Sequence, residues 1–156
     1  MGNRRKEASL QRDAAELYEA ATLFIRFYQF RNRDQALRAG LTVVQAYTLD
    51  ILVAGGGSTV TEITETLRLD KSTVSRIIAG MTRKGLVKWS TLPDDRRTKQ
   101  VVASAEGARR YKQLRTAIIR QNARLLATYS SGARRAIIAT FQRLTGRGNS
   151  SRAASS

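Results

Sequence analysis

The chain has 156 residues, with 28 Lys and Arg against 12 Asp and Glu, a formal net charge of +16. It has no Cys and no His, which excludes a disulfide framework, a thiol sensor, metal sites built from Cys and His, and Ser-His or Cys-His catalysis. The length fits one domain with a substantial core, and the charge fits a polyanionic partner.

The first six residues, Met1-Gly2-Asn3-Arg4-Arg5-Lys6, lack the apolar core of a secretion signal and the Ser or Thr of a myristoylation site. No long apolar run follows, so a cytoplasmic protein with no membrane partner is expected. Ser9 to Arg33 reads as one long helix. Leu10, Ala14, Leu17, Tyr18, Ala21, Phe24, Ile25 and Tyr28 recur at spacings of three and four. This stripe is wider than one neighbour needs. Phe27, Tyr28 and Phe30 crowd its end and are expected in the core. Asp34 to Gly40 reads as a polar connection. Thr42 with Gln45 is a capping box that opens a helix over Val43–Val53. Gly55, Gly56 and Gly57 make a link. They lack the Lys-Ser/Thr that a phosphate-binding loop requires.

Thr59 with Glu62 is a second capping box, followed by Val60, Ile63, Thr64 and Leu67 on one face. Arg68 and Leu69 make a turn. Asp70 is a natural N-cap, because its carboxylate accepts the free N–H groups of a first helical turn. The next helix, Lys71–Lys84, has an apolar stripe of Val74, Ile77, Ile78 and Met81. Lys71, Ser72, Thr73, Ser75, Arg76 and Arg83 are left on the other face. Gly85 suits the left-handed position that ends a helix, with Leu86 as its hydrophobic contact. Val87 and Trp89 then alternate with Lys88 and Ser90 as in a strand. Leu92 to Arg97 form a turn-rich tip, and Thr98–Ala103 returns as a second strand. Two helices across a tight turn, then a basic-tipped hairpin, make a winged helix-turn-helix pattern. Ser, Thr and Arg at the start of its second helix suit base edges and phosphates. Arg at a hairpin tip suits a narrow minor groove.

After the hairpin, Glu106 to Tyr129 reads as a second long helix. Its stripe is Tyr111, Leu114, Ile118, Leu125 and Tyr129. Ser130, Ser131 and Gly132 break it. A last helix, Ala133–Leu144, turns Ile137, Ile138, Phe141 and Leu144 inward. Gly146–Ser156 is rich in Gly, Ser and Arg, the composition of a disordered basic tail.

The charge is uneven. Residues 1–67 carry 8 basic and 8 acidic side chains, residues 68–103 carry 9 and 3, and residues 104–156 carry 11 and 1. The positive field therefore begins at the proposed recognition helix and runs to the C-terminus. That is the footprint of nucleic acid.

Three runs carry a resemblance to a known family: LTVVQAYTLDIL at Leu41–Leu52, DKSTVSRIIAGMTRKGLV at Asp70–Val87, and DDRR at Asp94–Arg97. Together they resemble the MarR family of transcription regulators, closely over Leu41–Gly107. Ala103-Ser104 stands where the family has Leu-Thr, Ala79-Gly80 replaces a polar pair, and Thr64 replaces Ala. The resemblance implies a homodimer bound to double-stranded DNA, often a repressor released by a small ligand. The implied fold is mostly α with a small β-wing: about six helices and a two- to three-stranded antiparallel wing. The divisions are an N-terminal dimerisation helix at 1–40, the DNA-binding lobe at 41–104, C-terminal dimerisation helices at 105–145 and a basic tail at 146–156.

We therefore expect Ser72, Thr73 and Arg76 to reach bases or adjacent phosphates, with Ser75 and Arg83 on the same face. Lys71, Lys88, Arg96 and Lys99 are expected on phosphates. Arg97 is expected in the minor groove, its side chain posed by Asp95 through a charge-assisted hydrogen bond. No cofactor, metal or enzymatic role is expected. A small aromatic or anionic effector is left open, with Tyr18, Tyr28, Tyr47, Tyr111 and a nearby Arg as candidate lining. The alternative is a sequence-independent DNA-coating, chromatin-like protein.

Overall fold

The computed structural model describes residues 2–91, 95 and 97–146, with residues 2–5 described by their backbone alone. Eight elements follow in order: α1 (Gly2–Arg38), α2 (Val43–Gly55), α3 (Val60–Leu67), α4 (Lys71–Arg83), β1 (Val87–Thr91), β2 (Lys99–Ala103), α5 (Ala105–Leu126) and α6 (Ser131–Leu144). They fall into two compact units, one up to Thr116 and one from Ala117 on.

Local hydrogen bonds account for most of the boundaries. Thr42 and Thr59 each head a complete capping box, with Gln45 and Glu62 reaching back to the cap backbone. The Asp70 carboxylate accepts from the Thr73 N–H at 2.8 Å and starts α4. At the other end of α4, Gly85 sits at φ 68°. The Leu86 N–H donates to the Met81 carbonyl and the Gly85 N–H to the Thr82 carbonyl, both at 2.9 Å. This is the Schellman arrangement, closed by a fully buried Leu86.

Some boundaries move. α1 runs through the expected connection to Arg38, since no residue from Asp34 to Arg38 breaks a helix and Ala36 is buried there. α5 ends at Leu126, three residues short of the expected Tyr129. The break moves from Ser130–Gly132 to residues 127–130, because the Ser130 hydroxyl accepts from the Ala133 N–H at 3.2 Å and caps α6.

Among the described residues the sheet has two strands, antiparallel, in the register Val87↔Ala103, Trp89↔Val101, Thr91↔Lys99. Ser58, just after the Gly triplet, makes an isolated antiparallel bridge to β2. It exchanges both backbone hydrogen bonds with Val101, at 2.9 and 2.8 Å. The glycine link is therefore more than a plain loop: it tethers the wing to the α2–α3 connection.

The core of the first unit gathers Leu49, Leu52, Ile63, Val74, Ile78, Met81, Leu86 and Val101, none more than 1% exposed. Leu114 of α5 joins it at 3%. Ser104 joins wing to helix: its hydroxyl donates to the Gly85 carbonyl at 2.6 Å and accepts from the Gly107 N–H at 3.0 Å. A Ser where the resembled pattern has Thr keeps the needed hydroxyl.

Two expectations about the core fail. Phe27 is 51% exposed and Phe30 66%, while Tyr28 is half-buried. The Arg31 guanidinium lies 4.9 Å from the Phe27 ring centre. In α6 no residue is buried, and Ile138, Phe141 and Leu144 are 46%, 47% and 66% exposed. Helical period marks an apolar face without saying what covers it. No single helix among the described residues is long and apolar enough to cross a membrane.

Glu106 opens α5 and accepts from Arg109 at 2.7 and 2.8 Å and from Arg110 at 2.6 Å. These donors pull its carboxyl from the ordinary 4.5 down to about 2. A lowered folded-state pKa contributes stability above the unfolded value, and that stability fades as pH falls through the folded value. Wild type should therefore melt slightly above Glu106→Gln at about pH 6. The gap should close between pH 4.5 and about 2. A gap that stays constant across that range would contradict the pairing.

Candidate nucleic-acid interface

The exposed side of α4 is built by its own periodicity. Val74, Ile78 and Met81 are anchored in the core, so the opposite face must point to solvent. Ser72, Arg76, Ala79 and Arg83, spaced four, three and four, form one line along that face, and all are exposed. Lys71 and Ser75 flank the line and are exposed, while Thr73 is half-buried. The structure thus brings the α4 candidates onto one surface.

Their hydrogen bonds limit what each can do. The Ser72 hydroxyl donates to the Asp70 carboxylate at 2.6 Å. Its proton is committed to the cap, so it offers lone pairs to an amino group on a base edge. The bonds from Ser72 and Thr73 hold the Asp70 carboxyl far below the usual carboxylate range. The cap stays ionised at the helix N-terminus, where the backbone dipole favours it. Arg76 donates from Nη2 to the Thr73 hydroxyl oxygen at 3.2 Å. This contact steadies the guanidinium above the N-terminal turns of α4.

On the wing, Lys88, Lys99, Asp95 and Arg97 are exposed. Arg96, Asp94, Leu92 and Pro93 lie outside the described residues. Asp95 does not pose the Arg97 guanidinium as expected. Its Oδ1 accepts from the Arg97 backbone N–H at 2.9 Å, and its Oδ2 from the Thr98 hydroxyl at 2.6 Å. An Asp reaches a backbone N–H two residues on without freezing a long side chain, which is why this Asx turn wins. These two bonds hold the Asp95 carboxyl below its ordinary value. The tip is thus fixed through its backbone, and the Arg97 side chain is left to reach outward. Thr98 is a positioning residue that sequence reasoning missed. The readable signal was a hydroxyl three residues after Asp95.

A second feature of the first unit lies between α2 and α5. A cleft of about 550 Å³ is lined by Asp50, Val53, Ala54, Ala108, Tyr111, Lys112 and Arg115. The Tyr111 hydroxyl donates to the Asp50 carboxylate. Burial, then that bond, push the phenol up to about 12. Of the four Tyr expected to line an effector site, Tyr111 is at this cleft, while Tyr18, Tyr28 and Tyr47 are not among its lining residues.

Residues 39–98 match the model of the MarR family. That span covers the whole helix-turn-helix and the first strand of the wing. Among curated proteins none matches the sequence. Several solved structures share the fold. A MarR family protein from Bacillus stearothermophilus superposes with a TM-score of 0.81 at 22% identity, over 87% of this chain and 95% of that one. A MarR transcriptional regulator from Methanosarcina mazei Go1 gives 0.71 at 19% identity, over 86% and 96%. A mutant MepR from S. aureus, solved bound to an oligodeoxyribonucleotide, gives 0.60 at 18% identity, over 83% and 95%. This chain therefore matches the MarR family's model over residues 39–98 and has the winged helix-turn-helix fold of these proteins over most of its length.

Proposed function

We propose that the protein is a homodimeric repressor that occludes a promoter by binding a pseudo-palindromic operator. The observation that carries this reading is the single exposed line of Ser72, Arg76 and Arg83 on α4, on the same lobe as a wing whose tip exposes Arg97. Each subunit lays α4 in the major groove, N-terminal turns toward the bases. Arg97 enters the adjacent minor groove, and Lys71, Lys88, Arg96 and Lys99 bind phosphates.

The exposed apolar side chains supply the reason for a dimer. Leu17, Tyr18 and Leu23 of α1 are 57%, 73% and 67% exposed, and Phe141 and Leu144 of α6 are 47% and 66%. Side chains of this size in water are covered most simply by a second copy. Two copies of α4 about 34–36 Å apart read two half-sites one turn apart.

A small aromatic or anionic effector would act at the α2–α5 cleft, where Arg115 and Lys112 supply positive charge and Tyr111 an aromatic ring. The competing reading is a sequence-indifferent DNA coat. It is favoured by the 11 basic and 1 acidic side chains after residue 103.

One experiment separates these. Genomic fragments retained in moderate salt are sequenced, and the strongest is footprinted. We expect a dimer in sedimentation and a footprint with two-fold related half-sites. A monomer, or equal affinity for retained and random fragments, would overturn the repressor reading.

A further inference from the structure

The positive charge does not thin out beyond the lobe. From Ala117 on, the sequence holds seven Arg and no Lys, Asp or Glu. Five of these Arg fall among the described residues: Arg120 and Arg124 on α5, and Arg134, Arg135 and Arg143 on α6, all exposed. The ion pairs among the described residues both use Glu106, which belongs to the other unit. No carboxylate side chain in the C-terminal unit is present to neutralise these guanidinium groups.

Their placement is regular. Arg120 and Arg124, four residues apart, share a face of α5 turned away from Ile118 and Leu125. Arg135 and Arg143 lie across α6 from Ile137, Phe141 and Leu144. Like charges four residues apart, as at Arg120 and Arg124, repel and weaken a helix. A merely solvated face has no need of them, and mixes signs as residues 1–67 do with 8 basic and 8 acidic side chains. The residue type narrows the partner. Guanidinium is weakly hydrated and forks onto a phosphate through two hydrogen bonds, which a Lys does not.

We propose that Arg120, Arg124, Arg135 and Arg143 form a second, sequence-indifferent surface for duplex DNA, in addition to α4 and the wing. Duplex is chosen over an anionic bilayer on two grounds, and both rest on the proposed function. The recognition lobe already brings the same molecule to DNA. The apolar side of α6, which a bilayer would need, is taken by the partner subunit.

The test uses the full chain, a duplex of about 40 bp and mixed sequence, and fluorescence anisotropy between about 50 and 200 mM salt. Two variants are compared with wild type: R120Q/R124Q/R135Q/R143Q, whose exposed Gln substitutions suit a helix, and R76A/R97A. Far-UV circular dichroism confirms that both fold. The quadruple variant should bind at least about tenfold more weakly at low salt. Its log K against log salt should flatten by about 0.9 for each phosphate it no longer neutralises. R76A/R97A should instead lose more affinity for retained genomic fragments than for this duplex. An unchanged salt slope in the quadruple variant overturns the proposal. So does a quadruple variant that no longer binds phosphatidylglycerol vesicles but keeps DNA. If R76A/R97A instead binds retained genomic fragments as tightly as wild type, the recognition reading fails while the second surface stands.

Discussion

Gly107→Ala is expected to destabilise the protein by about 3 kcal/mol or more, and to lower the Tm by roughly 6–12 °C. Gly107 is buried at the start of α5, where the helix meets the end of α4. A Cβ there would overlap the Leu86 carbonyl oxygen, and would stand 2.9 Å from its carbon and 3.1 Å from Leu49 Cδ2. The obstacle is backbone, so no side-chain rotation relieves it. Moving the Leu86 carbonyl also disturbs the bond it accepts from the Ser104 N–H at 3.0 Å. That bond helps join the wing to α5. The change therefore reaches the lobe proposed to bind DNA without touching any residue proposed to contact it. Thermal melts followed by circular dichroism check it, and a Tm within about 2 °C of wild type would mean that α5 is not packed this closely. Gly80→Ala is the contrast. Its Cβ would meet nothing nearer than Arg83 Nη2 at 3.8 Å, and Ala in a helix interior is about 1 kcal/mol better than Gly. It should stabilise.

Arg76→Ala is expected to weaken operator binding by about 1–3 kcal/mol, roughly 5- to 150-fold, while leaving the Tm almost unchanged. Arg76 stands in the middle of the exposed line on α4 and is steadied by Thr73 at 3.2 Å. Its side chain is in solvent, so removing it leaves no cavity in the core. The loss should be largest for one base position in each half-site, because a bidentate guanidinium reads one base pair. Arg97→Ala should lose affinity more evenly across sequences. Binding curves on single-base variants of the operator separate the two, and a sequence-independent loss at Arg76 would move that residue from bases to phosphates. The small pair Ala79-Gly80 lies beside Arg76. Gly80→Ala should raise the Tm, and an accompanying drop in affinity would show that the helix approaches the duplex closely there.

Much of this molecule is legible in its sequence because much of it is local. Two capping boxes, the Asp70 cap and the Gly85–Leu86 ending need only residues within five positions of one another. Strand alternation at Val87 and Trp89 likewise reports a short-range geometry. The place of Asp95 at the wing tip is equally readable, but its hydrogen-bond donors are not, since an Asx turn and a salt bridge look alike in one dimension.

The chain's own order of residues determined α4, its exposed polar line, the wing and the one-sided charge. Each follows from helical or strand period and from counting ionisable groups. The tertiary structure alone decided that Ser58 pairs with Val101, that Gly107 lies against Leu86, and that the apolar stripes of α1 and α6 stay exposed within the chain. The reason is the same in all three cases. Period fixes which way a side chain points, but contact depends on which distant segment arrives there, and that is a property of the packed chain.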